Sequence, residues 1–335
     1  MTDLLTVEDL VVRFRGPRPR PFAPRAEVHA LNGVSFTVAR GAAFGIVGES
    51  GSGKSTAALA LMQLVRPAQG RVSIDGQDVT TLRGGALRRA RRGFQMVFQD
   101  PFSSLDPRKR AGQLVREPLD LLAAGDPAGR AARAAAMIEA VGLPADAAGL
   151  FPHQFSGGQR QRLAIARALA PGPALLVCDE PVSALDVAIQ AQVLNLLRRL
   201  QRELALTLVF ISHDLGVVQY LCDEVAVMYL GRIVERAPTA VLFARARHPY
   251  TWSLMAAALP RAGADPAWRS SFLVPGEPPS PLAPPPGCHF AGRCPHVQDR
   301  CRAVLPPLRT LVTGHWVACH RAEELAHCSV FIAER

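Results

Sequence analysis

Apolar residues along this chain fall into runs of two periods. Residues 5–14 and 34–47 alternate or run apolar with β-branched content, and the second run, VSFTVARGAAFGIV, leads into glycine, as a buried strand entering a loop does. A helical stretch, AALALMQLV, follows Thr56 and is stopped by Pro67; RVSIDG then predicts a short strand and a turn. Strand and helix signals alternate from there: FQMVF, an alanine-rich helical block over about 111–142, ALLVCD, the helix AIQAQVLNLLRRLQREL and the strand LTLVFIS. That order predicts an α/β sheet with a helical insertion. From about residue 260 the texture changes to proline, and PGEPPSPLAPPP at 275–286 has the composition of a semi-rigid linker. No internal repeat is evident.

Length and charge narrow the picture. The 335 residues are 49% apolar and 20% charged, the composition of a folded protein of about two domains. Lysine and arginine exceed the acids, 38 against 28, a formal charge of +10 whose ordinary readings are nucleic acid, an anionic membrane surface or a phosphorylated ligand. The N-terminal MTDLLTVEDLVVRF carries acids where a secretory signal is basic, and no stretch has the apolar length of a membrane span. A cytosolic setting is therefore expected. There the seven cysteines argue against a disulfide framework and, where clustered, for metal.

The strongest chemical motif is Gly48-Glu49-Ser50-Gly51-Ser52-Gly53-Lys54-Ser55-Thr56, a complete phosphate loop between a strand-like and a helical run. Its glycines let backbone wrap phosphate, and the following helix points free N–H groups and the positive end of its dipole at the anion. Lys54 is expected at the β- and γ-phosphates and the Ser55 hydroxyl at Mg²⁺. ALLVCDE ends an apolar strand on two adjacent acids, which repel one another without a cation. This places Mg²⁺ near Asp179 and makes Glu180 the candidate general base. Ser156-Gly157-Gly158-Gln159 opens another helix, with Ser156 as N-cap and two glycines whose poor helix propensity points to an anion at the backbone. Two phosphate-binding helix starts exceed what one nucleotide's γ-phosphate needs.

Phosphate loop, Gln99 after FQMVF, SGGQ, the Asp179-Glu180 strand end, SALD at 183–186 and His213 in FISHD occur in the order of ATP-binding cassette (ABC) ATPases, which residues 1–255 resemble. The resemblance implies an α/β P-loop NTPase (RecA-like) core with an antiparallel β-subdomain and an α-helical signature subdomain over about 100–170. In that family two cassettes pair head to tail, so the second helix start serves the partner's ATP. By the same resemblance Gln99 contacts Mg²⁺ and the attacking water, His213 holds the γ-phosphate and Asp186 contacts the opposite cassette. The adenine is expected on an aromatic of the first strand, Phe14, with Phe22 its rival. FQDPFSSLDPR, EPVSALDVAIQAQVLNLL, VMYLGRIVE and HPYT resemble the dipeptide/oligopeptide importer ATPases, particularly the second (F-type) of their two nonidentical subunits. Ala42 and Ala237 depart from that pattern at positions outside the chemistry.

The resemblance implies a subunit at the cytoplasmic face of the inner membrane. Its partners are a second homologous ATPase in a heterodimer, two permease subunits and an extracytoplasmic solute-binding protein, with no nucleic acid. The competing reading is a soluble ABC ATPase acting on nucleic acid or the ribosome. Residues 256–335 form the expected extension, where Cys288, Cys294, Cys301 and Cys319 have the spacing C-x5-C-x6-C-x17-C, which suits Zn²⁺ or an iron–sulfur cluster but no zinc ribbon. Four metal-free thiols are the plain alternative, and His289, His315 and His320 could substitute as zinc ligands. Some members of the resembled family carry a [4Fe–4S] cluster in this extension. Cys178, Cys222 and Cys328 read as core. Ten arginines account for the charge excess: Arg13, Arg15, Arg18, Arg20 and Arg25 near the adenine aromatic, and Arg83, Arg88, Arg89, Arg91 and Arg92 ahead of Gln99. They read equally as ATP- and membrane-facing groups or as two solvated loops.

Overall fold

The alternating runs at the start of the chain fold as long strands, β1 (Asp3–Arg15) and β2 (Glu27–Ala39). They join β4 (Gln69–Ile74) and β5 (Gln77–Asp78) in a four-stranded sheet of order β2-β1-β4-β5. β4 and β5 are an antiparallel hairpin turned by Asp75-Gly76, both at positive φ (51° and 76°), as a two-residue Asp-Gly turn requires. The computed structural model describes residues 2–16, 18, 25–100, 104–258, 272–274 and 276–327. They group into two compact units interleaved along the chain: Met1–Leu5, Thr37–Ala43 and Ser73–Ile211, and Thr6–Phe36, Phe44–Val72 and Ser212–Arg335.

In the first unit the strands β6 (Phe94–Val97), β7 (Leu175–Asp179) and β8 (Thr207–Ser212) run parallel. Every residue of β7 and β8 is buried, which explains why they read as unbroken apolar runs instead of alternating ones. The predicted helical block over 111–142 is two helices, α3 (Ala111–Leu121) and α4 (Arg130–Ala140), after α2 (Gly84–Ala90). Between them Ala123 and Gly125 take positive φ (50° and 70°), which breaks the helical path. Both pack on α5 (Gly157–Leu169), and Glu117 of α3 accepts from Lys109 and from Arg167 of α5, which holds its carboxyl below the usual carboxylate range.

α5 starts on a reciprocal cap: Ser156 Oγ accepts from the Gln159 N–H (3.3 Å), and Gln159 Oε1 accepts from the Ser156 N–H (2.9 Å). Asp186 caps α6 (Val187–Glu203) by accepting from the Ile189 N–H (3.0 Å). A Cβ on Gly158 would lie 2.4 Å from Ile189 Cγ2, so the second signature glycine is required by helix packing, a reason separate from anion binding. Gly157 meets only ordinary contact, Leu185 Cδ2 at 3.6 Å.

In the second unit β3 (Ala43–Val47) pairs in parallel with β9 (Glu224–Tyr229), and the sheet continues antiparallel through β10 (Arg232–Pro238), β12 (His315–Val317) and β11 (Arg309–Val312). The cysteine-bearing extension thus adds two strands to the edge of β10, with Glu235 opposite Val317 and Arg236 opposite Trp316. The described helices of this second unit are α1 (Lys54–Leu61), α7 (Leu215–Leu221), α8 (Thr239–Arg245), α9 (Pro249–Ala258) and α10 (Asp299–Ala303).

A buried carboxylate organises the entry to α9. Glu235, fully buried, lies 2.7 Å from His315 Nε2 and accepts from the N–H groups of Arg247 (2.6 Å) and His248 (3.0 Å). His248 Nδ1 in turn accepts from the Tyr250 N–H (3.1 Å). Burial depresses the His248 pKa to about 4, opposed by Glu235, so at neutral pH the ring is uncharged and able to accept.

Two outcomes follow from this packing. Gly158→Ala forces a methyl against a β-branched neighbour and is expected to cost about 1–3 kcal/mol in urea unfolding. Because His248 has a folded pKa below its unfolded value, its contribution is fully present above about pH 6.5 and is lost as pH falls toward 4. Denaturant titrations from pH 7.5 to 5 should show stability falling, and His248→Asn should flatten that slope.

Candidate functional site

The phosphate loop lies wholly in the second unit and is confined by backbone. A Cβ at Gly48 would stand 2.3 Å from the Met228 carbonyl oxygen, and one at Gly53 (φ 103°) 2.6 Å from that of Ala30. The loop closes on itself through the Ser52 N–H to the Glu49 carbonyl (3.2 Å), and the Gly231 N–H donates to Ser52 (2.9 Å). Lys54, 5% exposed at the head of α1, donates from Nζ to the carbonyls of Gly48 and Glu49, both at 2.8 Å. Ser50, Gly51 and Ser55 are exposed, Ser52 is buried and Thr56 is half-buried. Exposed residues at the tip, glycines where a Cβ would clash and a lysine on carbonyl oxygens make a cradle that fits a polyphosphate.

His213 sits exposed just after β8, where Asp214 caps α7 by accepting from Gly216 (2.8 Å) and Val217 (3.3 Å). Phe14, near the end of β1, is 38% exposed, so it is no core residue; Phe22 lies outside the described residues.

In the first unit, the parallel register sets Val97 beside Cys178, so the chain ends leaving β6 and β7 bring Gln99 and Glu180 together. Gln99 Nε2 donates to Glu180 Oε2 at 3.3 Å. Asp179 is buried at the strand end, while Glu180 takes a left-handed φ of 45° and donates its N–H to Ile211 (2.9 Å). A glutamate in that conformation is strained, which is common where a side chain must be presented for chemistry. Ser156, Gly157, Gly158, Gln159 and Asp186 stand at the helix starts described above.

The four clustered cysteines line one cavity of about 20 Å³, together with His296, His320 and Arg321. Burial, reinforced by the neighbouring thiols, pushes Cys294 up to about 11 and Cys319 up to about 12, and raises Cys288 as well. Four cysteines around one space are residues of the type that bind a metal group as thiolates. Among the described residues, however, no three His, Cys, Asp or Glu groups are already set at metal-binding geometry. Two of the three histidines expected as substitutes lie elsewhere: His315 pairs with Glu235, and His289 lines a different cavity, its Nδ1 buried without a partner. His320 does border the cysteines but bonds the Val304 carbonyl through Nε2 (2.8 Å). Cys178 and Cys222 are core, as expected; Cys328 lies outside the described residues.

Tyr250 and Arg293 are the contacts that sequence reasoning missed. The Glu49 N–H donates to the Tyr250 hydroxyl (2.8 Å), and Arg293 meets both Glu49 carboxylate oxygens (2.8 and 3.0 Å). Tyr250 belongs to the HPYT run, and Arg293 directly precedes Cys294. Of the arginine-rich stretches, Arg13 donates to the Leu31 carbonyl and Arg83 to those of Thr80 (2.8 Å) and Leu82 (2.7 Å). α2, carrying Arg88 and Arg89, buries none of its residues.

The ABC transporter family model matches residues 31–183, and the model described as the oligopeptide/dipeptide transporter C-terminal region matches 234–301. A putative peptide import ATP-binding protein of Brucella ovis is 48% identical over 96% of this chain and 98% of its own length. The di/tripeptide transport ATP-binding protein DppF of Pseudomonas aeruginosa is 45% identical over 97% and 99%. The oligopeptide transport ATP-binding protein AppF of Bacillus subtilis is 44% identical over 88% and 90%. Among solved structures, the dimeric ATP-binding cassette MJ0796 bound to ADP and phosphate superposes with a TM-score of 0.62 at 29% identity, covering 70% of this chain and 98% of that one. A second match, cbiO1 of Clostridium perfringens, part of the cbiONQ transporter complex, gives 0.63 at 26% identity over 78% and 98%. This chain belongs to the ABC transporter ATP-binding proteins and carries their oligopeptide/dipeptide transporter C-terminal region.

Proposed function

We propose that this protein binds and hydrolyses ATP to drive import of dipeptides, oligopeptides or a related small solute. The observation that carries the reading is a phosphate loop with its lysine in place, in a chain whose strand end pairs Gln99 with Glu180. Names of full-length relatives supply the peptide.

Lys54 exchanges the carbonyls of Gly48 and Glu49 for the β- and γ-phosphates, so the loop offers the ammonium a neutral resting partner that phosphate outcompetes. Ser55, Gln99 and Asp179 are the residues that would hold Mg²⁺, which supplies neutralisation of phosphate charge. Glu180 orients and polarises the attacking water, with Gln99 holding its carboxylate in line. His213 holds the γ-phosphate, and Phe14 carries the adenine. Ser156, Gly157, Gly158 and Gln159 present capped helix N–H groups to the nucleotide of a second cassette, which Asp186 also contacts. That second cassette is a homologous subunit in a heterodimer. No helix among the described residues is long and apolar enough to cross a membrane. In this reading two permease subunits supply the path, an extracytoplasmic binding protein supplies the solute, and this chain sits peripherally on the cytoplasmic face. Along the chain the cassette spans residues 1–255 and the extension 256–335.

The cysteine cavity belongs to the same reading as a metal site, with a [4Fe–4S] cluster as the group and Zn²⁺ as the alternative. That four cysteines line it supports a metal group; the choice of cluster rests on the family resemblance.

Glu180→Gln is expected to keep ATP binding while turnover falls by about 10²–10⁴-fold, measured as phosphate release. Unchanged turnover removes Glu180 from the mechanism. Anaerobically purified protein is expected to be brown and to contain iron and inorganic sulfide by elemental analysis. Zinc, or no metal, rules the cluster out.

A further inference from the structure

Glu49 is gripped at both ends by residues about 200 or more positions downstream. Its main-chain N–H donates to the Tyr250 hydroxyl, and its carboxylate takes a two-pronged pairing from Arg293, 244 residues away. The Arg293 guanidinium lies against the rings of Tyr229 and Phe290 (5.9 and 5.8 Å to the centroids), with Nη1 3.5 Å from the Tyr229 hydroxyl. Tyr229, Tyr250 and Phe290 pack on one another at 4.6–5.4 Å. The Arg293 side chain is 9% exposed and that of Glu49 30%, so the arginine is held within the protein while the carboxylate keeps access to solvent. Arg293 immediately precedes Cys294, one of the four cysteines around the cavity of the extension.

A carboxylate is a costly residue to place on a loop that receives a polyphosphate, because an unpaired negative charge there repels the ligand. Arg293 offsets that charge, and its planar fork also fixes the direction in which the side chain leaves the loop. Tyr250 fixes the main chain of the same residue. We propose that Arg293 is a positioning residue for ATP: through Glu49 it neutralises and orders the phosphate loop, so the cysteine-bearing extension sets the loop's affinity for nucleotide. Arg293 acts through Glu49 and does not itself touch the nucleotide. The inference rests on the reading of residues 48–56 as the ATP site.

The test is equilibrium binding of ATP to the full-length protein and to Arg293→Ala, Arg293→Lys, Glu49→Gln and the double variant Glu49→Gln/Arg293→Ala, with unfolding midpoints measured in parallel. Arg293→Ala is expected to weaken ATP binding about tenfold, the loss of one charge-assisted pair. Raising the salt concentration should shrink that deficit, since carboxylate–phosphate repulsion is screened. Removing the stranded carboxylate in the double variant should return affinity to within about threefold of the parent, and Arg293→Lys should fall between. A merely structural Arg293 would leave the double variant as weak as the single one at every salt concentration, and that result overturns the proposal. So does ATP affinity of Arg293→Ala within twofold of the parent. If Arg293→Ala does not fold, Arg293→Lys and Glu49→Gln/Arg293→Lys make the same comparison. A parent protein that binds no ATP overturns the assignment of the loop itself, an outcome distinct from a parent that binds ATP and variants that bind it equally.

Discussion

Two carbonyl oxygens, those of Ala30 and Met228, leave no room for a Cβ at Gly53 and Gly48, and much of the nucleotide-binding unit depends on that constraint. The parallel pairing of β3 with β9 ends at Val47 opposite Val227, which delivers Gly48 beside Met228. The loop therefore starts against a strand whose far edge is already occupied by β10, and β10 in turn carries β12 of the extension. From β10 the buried Glu235 holds the backbone of Arg247 and His248, His248 holds that of Tyr250, and the Tyr250 hydroxyl returns to the Glu49 N–H. Loop, sheet edge and extension form a closed circuit of hydrogen bonds. The phosphate loop is thus held by the backbone of Ala30 before it in the chain and by the Met228 backbone and Tyr250 hydroxyl far after it.

Residues whose role depends on their immediate neighbours were legible in the sequence. The glycines and lysine of the phosphate loop, the strand ending in Asp179 and Glu180, the Ser156 cap and the Asp75-Gly76 turn are local patterns with a backbone reason at each position. Gln99 was placed by resemblance, and the structure adds the physical cause: adjacent parallel strands deliver their C-terminal residues to the same end of the sheet. Less legible was the break between α3 and α4, because Ala123 adopts a left-handed conformation that its identity does not advertise. Nor did propensity distinguish the two signature glycines: only the position of Ile189 shows that one of them is needed for packing.

Long-range contacts were invisible for a simpler reason. His315 looked like a spare zinc ligand because histidine near cysteine fits that chemistry, yet its ring is committed to Glu235, 80 residues earlier. Arg293 looked like one of many arginines in a basic chain, although pairing with Glu49 gives it a specific place. Composition assigned the charge excess to stretches of high density, Arg13 to Arg25 and Arg83 to Arg92. The arginine with the clearest link to the phosphate loop lies in neither.

The buried Glu235–His315 pair bears on how the extension finds its place. Glu235 is fully buried, so removing His315 would leave it one hydrogen-bond partner short, at a cost of about 1–3 kcal/mol. β12 is three residues long, too short for its ladder alone to define an alignment strongly. Its register sets Val317 opposite Glu235 and Trp316 opposite Arg236, where the indole ring also stacks under the guanidinium at 4.8 Å. A slip by one residue would turn each β12 side chain to the other face of the sheet, taking His315 from Glu235 and Trp316 from Arg236 together. The penalty for that slip falls on a carboxylate that also holds the approach to α9. Misalignment of the extension would therefore disturb His248 and Tyr250, and through Tyr250 the main chain of Glu49. Register at the edge of the sheet and geometry at the phosphate loop are in this way tied to one buried side chain, that of Glu235.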